Sequence, residues 1–235
     1  LIRSPHIVST RRLNSLKFNE LKQSGWRFTA HDFILKAIRI PVDIRPSSVH
    51  KNVVLTSSTG AKAFLQMIKQ LQLDIDNYVV HCISPGTKEY VSASGLTIKS
   101  TAPDASALAD EILLDVEAKE VTHIRGNLSR PELSEKLTRA GVVVQEVMTY
   151  RTELTPIVIN LPYEAIIFFS PSGINSFLSR NDLQQVPCFC IGQTTADYAK
   201  QKGYKHTYIP DAPSEEILLK TIVTYYTKNP LYAKE

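Results

Sequence analysis

Glycine is scarce in this 235-residue chain, with nine in all, about half the usual share of ~7%. Glycine-rich phosphate loops are therefore not expected. No GxGxxG follows an apolar run and no GxxxxGKS/T is present, so neither a nicotinamide cofactor nor a nucleoside triphosphate is signalled. A GxSxG elbow is also missing. Long apolar runs are missing too: the longest clean one, Ala165–Phe169, is far short of the ~18–20 residues that span a bilayer. The N-terminal Leu1-Ile2-Arg3-Ser4-Pro5-His6 carries no apolar secretory stretch. Neither sign of charge dominates. Lys plus Arg is 27 and Asp plus Glu is 23, a net +4, and no basic run exceeds Arg11-Arg12. A nucleic-acid stripe is not expected.

Cysteine is limited to Cys82, Cys188 and Cys190. Three cannot pair completely, so reduced, packed thiols in a cytoplasmic protein are expected. The six histidines (6, 31, 50, 81, 123, 206) are scattered, no two within five residues, so no metal site is expected. No paired acidic motif suggests glycosidase chemistry. What is present is ordinary globular material. Apolar types make up 43% and charged types 21%, enough for one large domain or two small ones.

The chain repeats itself. Val53–Leu65 aligns with Ile166–Leu178 at an offset of 113, with Ser57/Ser170, Gly60/Gly173, Phe64/Phe177 and Leu65/Leu178 identical. Cys82-Ile83, Thr87, Tyr90 and Gly95 fall on Cys190-Ile191, Thr195, Tyr198 and Gly203 at an offset of 108. Ala102-Pro103, Leu108 and Ile112 fall on Ala212-Pro213, Leu218 and Ile222 at 110. Ile7–Trp26 resembles Thr122–Val142, with Arg11 on Arg125 at 114 and Leu21 and Gly25 on Leu137 and Gly141 at 116. Four units in the same order twice predict two similar lobes.

Each unit reads as a short apolar strand, a polar turn and a helix. Val53–Leu55 precedes Phe64, Leu65, Ile68 and Leu71 at helical spacing. Val79–Ile83 leads through Ser84-Pro85-Gly86-Thr87 into a helix ending near Gly95. Ile124 leads through Gly126-Asn127-Leu128 to Ser129-Arg130-Pro131-Glu132, where Ser129 and Glu132 read as a capping box, with Gly141 as the stop. Thr194 with Asp197 makes a similar start, with Gly203 as the stop. Tyr225–Pro230 reads as a helix end and a short tail. Apolar, non-alternating strands between helices imply parallel sheets covered on both faces. A ligand would then sit beyond the carboxyl ends of the strands. Those ends carry Thr56-Ser57-Ser58, Thr87, Gly126-Asn127, Ser170-Pro171-Ser172 and Thr194-Thr195. Any one hydroxyl there would serve simply as a cap for its own helix. The whole set in both halves, with Arg11 and Arg125 at equivalent places, suits a ligand carrying several anionic groups.

Composition and repeats alone also permit a non-enzymatic two-lobe binding protein for a small polyanionic ligand. A sugar-nucleotide transferase is disfavoured by the missing phosphate loop and acidic metal motif.

A set of short motifs carries a family resemblance. They are Val8-Ser9-Thr10-Arg11, Leu55-Thr56-Ser57, Gly86-Thr87, and Arg125-Gly126-Asn127 with Leu133, Leu137 and Gly141. Val147-Met148-Thr149-Tyr150-Arg151-Thr152, Phe168-Phe169-Ser170-Pro171-Ser172-Gly173 and Ile191-Gly192-Gln193-Thr194-Thr195-Ala196 follow. In order and spacing the chain resembles uroporphyrinogen-III synthases over nearly its whole length. Arg12 stands where that family usually has Pro, and Ser84 where its first glycine–threonine loop has Gly. The resemblance implies an α/β fold of two similar lobes. Each would be a parallel β-sheet flanked by helices (doubly wound, flavodoxin-like), and a two-stranded connector would join them. It places residues 1–34 with 156–235 in one lobe, 41–149 in the other, and 35–40 and 150–155 in the connectors, with lobe closure as the expected motion. The tandem repeat alone would instead cut the chain near residue 118.

The activity implied is closure of the linear tetrapyrrole hydroxymethylbilane to uroporphyrinogen III, with ring D inverted through a spiro intermediate. No cofactor and no metal are implied. The partner is the small-molecule substrate, with neither nucleic acid nor membrane. The protein is expected to be a cytoplasmic monomer, with room for a loose association with the preceding pathway enzyme. Tyr150 is the implied acid. Arg11, Thr56, Ser57, Ser58, Thr87, Arg125, Gly126, Asn127, Ser170, Pro171, Ser172, Gly173, Thr194 and Thr195 are the implied substrate contacts.

Overall fold

The computed structural model describes residues 4–229. Leu1–Arg3 of the N-terminal stretch and Pro230 of the tail lie outside the described residues. Along the chain run β1 (His6–Ser9), α1 (Leu16–Gln23), β2 (Arg27–Ala30), β3 (Ile34–Ile38), β4 (Asn52–Leu55), α2 (Ser58–Leu71) and β5 (Val79–Ile83). There follow α3 (Gly86–Ser92), β6 (Thr97–Ala102), α4 (Ala105–Leu113), β7 (Glu120–Gly126), α5 (Glu132–Arg139) and β8 (Val143–Leu154). The last elements are β9 (Ala165–Phe168), α6 (Pro171–Leu178), β10 (Cys188–Cys190), α7 (Gln193–Gln201), β11 (Thr207–Tyr208) and α8 (Glu215–Lys228). The chain divides into two compact units, one holding residues up to Leu35 and from Glu153 onward, the other Lys36–Thr152. The backbone crosses the division twice, within β3 and within β8.

The first unit is built on a five-stranded sheet in the order β11-β10-β9-β1-β2, with every pair parallel. Consecutive strand residues point to opposite faces, and both faces are apolar. Ile166 and Phe168 pack with Ile174 and Phe177 of α6 and Ala196 and Ala199 of α7. Ala165 and Ile167 pack with Leu21 of α1 and Leu218, Leu219 and Ile222 of α8. A strand buried on both sides has no polar face to alternate, which is why these runs are continuous.

The second unit has a six-stranded sheet in the order β3-β8-β7-β4-β5-β6. The pairs from β8 to β6 are parallel. Val53 and Leu55 face Phe64, Met67 and Ile68 of α2. Val54 faces Leu108 and Ile112 of α4 and Leu133 and Leu137 of α5. With β3 set aside, each sheet takes its first two strands, in repeat order, from one copy of the repeat and its other three from the other copy. Both give the order second-first-third-fourth-fifth. In each, the direction of winding reverses between the first and third strands, at β1/β9 and at β7/β4. Such a reversal opens a crevice at the carboxyl edge of the sheet.

The repeat is also written in the helix ends. The described glycines with positive φ are Gly25, Gly95, Gly141 and Gly203, at +85°, +81°, +88° and +102°. They follow α1, α3, α5 and α7, where a left-handed residue stops the helix. Two helix starts differ from the sequence reading. Pro131, not Ser129, is the N-cap of α5, and Ser129 Oγ instead accepts from Gly126 N at 3.1 Å. The tight turn after β7 thus takes the hydroxyl that the capping box needed. Gly192 is the N-cap of α7, so Thr194 lies inside the first turn, and Asp197 accepts from Gln193 Nε2 at 2.7 Å. Cys82, Cys188 and Cys190 are buried free thiols, with the Sγ atoms of the last two 3.6 Å apart. Among the described residues no helix is long and apolar enough to cross a membrane.

Two buried histidines contribute to the acid response of the second unit. His81 and His123 are each 1% exposed. Burial pushes the His81 imidazole down from 6.5 to about 4, against the pull of Asp115. Burial likewise takes His123 from 6.5 to about 4, against the pull of Glu146. Each ring is harder to protonate folded than unfolded, so its contribution to stability is complete above about pH 6.5 and drains away as the pH falls toward 4. The loss approaches about 3 kcal/mol per ring at the acid end. Urea midpoints measured from about pH 7 to about pH 4 should fall across this window. Constant midpoints down to pH 5 would contradict neutral burial of both rings.

Candidate functional site

In the second unit the crevice lies where β4 and β7 end side by side, with Leu55 paired to Ile124 and Gly126 to Tyr150 of β8. Beside these strand ends stands Tyr150, only 8% exposed. The tyrosine ring lies across the backbone of Gly126. A Cβ at that position would stand 2.3 Å from ring Cε2 and 2.5 Å from Cζ. Only glycine lets the ring settle there. Its hydroxyl is then 2.9 Å from Ser57 Oγ. Ser57 is the N-cap of α2, and its Oγ accepts from Gly60 N at 3.0 Å. Tyr150 is therefore tied through one hydroxyl to the amino end of a 14-residue helix.

Thr56, the residue before, turns to the other side. Its Oγ1 is 3.4 Å from His123 Nε2. His123 Nδ1 is 3.1 Å from Ser134 Oγ, and Ser134 donates to Glu146 Oε1 at 2.6 Å. Arg125 Nη1 pairs with the other oxygen of Glu146, and Arg125 Nη2 donates to Ser129 O at 2.8 Å. Burial alone would raise the Glu146 carboxyl. The Ser134 hydroxyl and the Arg125 guanidinium outweigh it and hold the group below its ordinary range. Asn127 extends the β7–β8 ladder, taking Thr152 N on Oδ1 at 2.8 Å and donating from Nδ2 to Thr152 O at 3.4 Å. Ser58 is exposed at the start of α2, and Thr87 is buried in the first turn of α3.

In the first unit the same crevice lies between β1 and β9. Ser170 caps α6, its Oγ accepting from Gly173 N at 3.1 Å and lying 3.0 Å from Ser172 Oγ. Pro171 opens the helix. Gly173 repeats the close approach of Gly60. A Cβ on Gly173 would lie 3.3 Å from Thr10 Oγ1, and one on Gly60 3.2 Å from Ile124 O. Arg11 stacks its guanidinium over Phe169, 3.8 Å from the ring centroid, and pairs with Glu215 at 2.8 Å. Burial would raise the Glu215 carboxyl, but bonds from Ser15, Asn14 and Arg11 keep it low. Thr194 is exposed and Thr195 buried in the first turn of α7, whose N-cap Gly192 supplies no side chain.

Arg11 and Arg125 correspond in sequence but not in circumstance. The Arg125 side chain is 21% exposed and held between Glu146 and Ser129. The Arg11 side chain is 48% exposed, with a fixed plane. Sequence reasoning missed His123, Ser134, Glu146 and Glu215. One signal was available: His123 directly precedes Ile124 in a segment whose alternation with helices marks it as a covered strand. Among the described residues no group of three or more His, Cys, Asp or Glu is placed to hold a metal ion.

The family model of uroporphyrinogen-III synthase HemD matches residues 36–220. The chain belongs to the uroporphyrinogen-III synthase family. The fold agrees. Uroporphyrinogen-III synthetase from Helicobacter pylori superposes with a TM-score of 0.70 at 18% identity, covering 94% of this chain and 99% of that one. A mutant uroporphyrinogen III synthase from Thermus thermophilus gives 0.69 at 15% identity, covering 98% and 100%. The wild-type Thermus protein in another crystal form gives 0.55 at 15% identity, covering 96% and 99%. No curated protein matches in sequence. Membership in the uroporphyrinogen-III synthase family makes the chain an enzyme of tetrapyrrole and haem biosynthesis, a cyclising lyase acting on a small molecule.

Gly126→Ala tests the seating of Tyr150. The new methyl must drive the ring off the backbone and break its bond to Ser57. Synthase turnover should fall about tenfold or more, with about 1–3 kcal/mol lost in stability. Gly86→Ala is the control, because its Cβ meets nothing within 4 Å. Comparable turnover in the two variants would show that the ring position is immaterial.

Proposed function

We propose that Tyr150 is the proton carrier of the cyclisation and that the crevice edges of the two units take the substrate carboxylates. Hydroxymethylbilane must lose the hydroxyl of its ring A side chain as water. That hydroxyl needs a proton, and the departure leaves an azafulvene electrophile. The substituted α-carbon of ring D attacks it to form the spiro intermediate, which fragments and recloses with ring D reversed. Restoring the pyrrole then releases a proton from carbon. A phenol that gives its proton to the leaving hydroxyl and takes one back at the end balances the sequence, with water as the only loss. The observation that carries this reading is the hydroxyl of Tyr150, held 2.9 Å from Ser57 at the end of β4. A Ser57 O–H directed at the phenol oxygen stabilises the phenolate in between.

The substrate also cyclises without help, at the unsubstituted carbon, to the other isomer. The protein's larger task is to hold one conformer, which at its limit supplies ~7–11 kcal/mol. Eight side-chain carboxylates offer the handles. Arg11, fixed in plane by Phe169 and Glu215, suits a planar anion. Ser58, Thr87, Asn127, Ser170, Ser172, Thr194 and Thr195, with the backbone N–H groups at the α6 and α7 starts, supply the rest. Charge-assisted bonds of this kind give ~1.5–3 kcal/mol each. A monomer working in the cytoplasm, with at most a passing contact with the enzyme that makes the substrate, completes the reading.

The test is to supply hydroxymethylbilane, oxidise the products and separate type I from type III porphyrin. Type III above the spontaneous background is expected, and its absence would remove the synthase reading. Tyr150→Phe should slow type III formation at least about tenfold, and turnover near normal would take Tyr150 out of the chemistry. Single Ala changes at Ser170, Ser172 or Thr194 should raise KM by about fivefold or less. Total loss from any one of them, with the fold intact, would mean a sharper role than carboxylate binding.

A further inference from the structure

The line from Thr56 to Arg125 contains one group with no freedom. A carboxylate only accepts hydrogen bonds, and Glu146 is held ionised by Ser134 and Arg125. Ser134 stands 2.6 Å from Glu146 Oε1, so its single proton points there. Toward His123 Nδ1, at 3.1 Å, Ser134 Oγ can then only accept. The proton of the neutral His123 ring must therefore sit on Nδ1, which also faces Glu146 Oε1 at 3.9 Å. Nε2 is left bare. Thr56 Oγ1, 3.4 Å from Nε2, must donate to it. The polarity of each bond dictates the next, and a fixed charge in β8 orients a hydroxyl beyond the end of β4.

We propose that Glu146, Ser134 and His123 are positioning residues that make Thr56 a hydrogen-bond acceptor in the crevice, and that Thr56 receives a pyrrole N–H of the substrate and does not hold a carboxylate. With its proton directed inward, Thr56 presents only lone pairs to a ligand. Ionised carboxylates have no proton to offer those lone pairs and are repelled by them. The remaining polar groups of hydroxymethylbilane are four pyrrole N–H donors and one hydroxyl. A neutral acceptor among anion-binding donors thus reads the ring skeleton, while its neighbours read the side chains. This assignment rests on the synthase reading for its ligand, but the direction of the line does not.

The direction can be read without substrate. In protein labelled with ¹⁵N-histidine, the His123 resonances, identified by their loss in His123→Gln, should show Nδ1 protonated and Nε2 bare at neutral pH. Glu146→Gln should reverse the line. Arg125 donates only, so it keeps the amide oxygen and turns the NH₂ toward Ser134. Ser134 then donates to Nδ1, the ring proton moves to Nε2, and the Thr56 proton is turned outward. The KM for hydroxymethylbilane should rise about fivefold or more in Glu146→Gln and in Thr56→Val, with kcat changed less than about twofold, while Thr56→Ser stays near wild type. Glu146→Gln should add nothing in the Thr56→Val background. A wild-type ring protonated on Nε2 overturns the line whether or not the Gln variant folds. A KM effect of Glu146→Gln that persists undiminished without the Thr56 hydroxyl overturns its link to binding. Failure to form type III porphyrin would instead count against the synthase reading and leave the tautomer result standing.

Discussion

Tyr150 occupies space that a side chain at residue 126 would fill, and the arrangement at the carboxyl edge of the second sheet follows from that contact. The ring lies on bare backbone. From there its hydroxyl reaches the cap of α2. The cap is fixed because Ser57 also answers an otherwise unpaired helix N–H, that of Gly60. β4, β7 and β8 are locked in register as neighbours in a buried parallel sheet, so the three contributors cannot drift apart singly. A weakly acidic phenol gains most from this kind of fixing. Any phenol that gives up its proton needs an oriented donor for the charge left behind, and preorganised donors act without rearrangement.

The internal repeat gives the two sheets the same strand order and the same capped third-strand helix, yet the crevices have diverged in chemistry. Ser57 meets a tyrosine, whereas its counterpart Ser170 meets Ser172. Arg125 is drawn down onto Glu146, whereas Arg11 is stacked on Phe169 with half its side chain exposed. A duplicated framework thus supplies two sheet edges of one strand order, one furnished with a buried tyrosine and the other with an accessible planar cation.

Much of the frame was legible because it is local. Continuous apolar runs marked the parallel strands, Ser57 and Ser170 marked helix starts, and Gly141 and Gly203 marked stops. The errors came where a side chain had a choice of partner. Ser129 could cap α5 or close the turn after β7, and the turn takes it. Thr194 could cap α7 only if the helix began later than it does. Arg125 looked like a twin of Arg11 because alignment compares neighbours in sequence. Its partner Glu146 is 21 residues away and becomes a neighbour only when β8 pairs with β7. His123 drew no attention for the same reason: both ring nitrogens are satisfied from other elements. Long-range polar pairing leaves almost no mark in a single sequence, whereas burial and caps do.

The same distinction bears on how selectivity can arise. Exposed carboxylate contacts are individually weak and screened by salt, so eight of them fix a flexible chain only collectively. They also say little about which way a ring faces, since every pyrrole carries carboxylate side chains. Groups that read the ring itself are better placed to decide the sense of closure. Those groups must not be anion donors, or a carboxylate would displace the ring. An acceptor whose proton is tied back into the core meets that requirement, and it keeps its polarity for as long as His123 is neutral and Glu146 charged. Both conditions hold at neutral pH, given the directions in which burial and Arg125 move these groups. The burial that makes His123 a liability in acid is the same burial that keeps its ring neutral near pH 7.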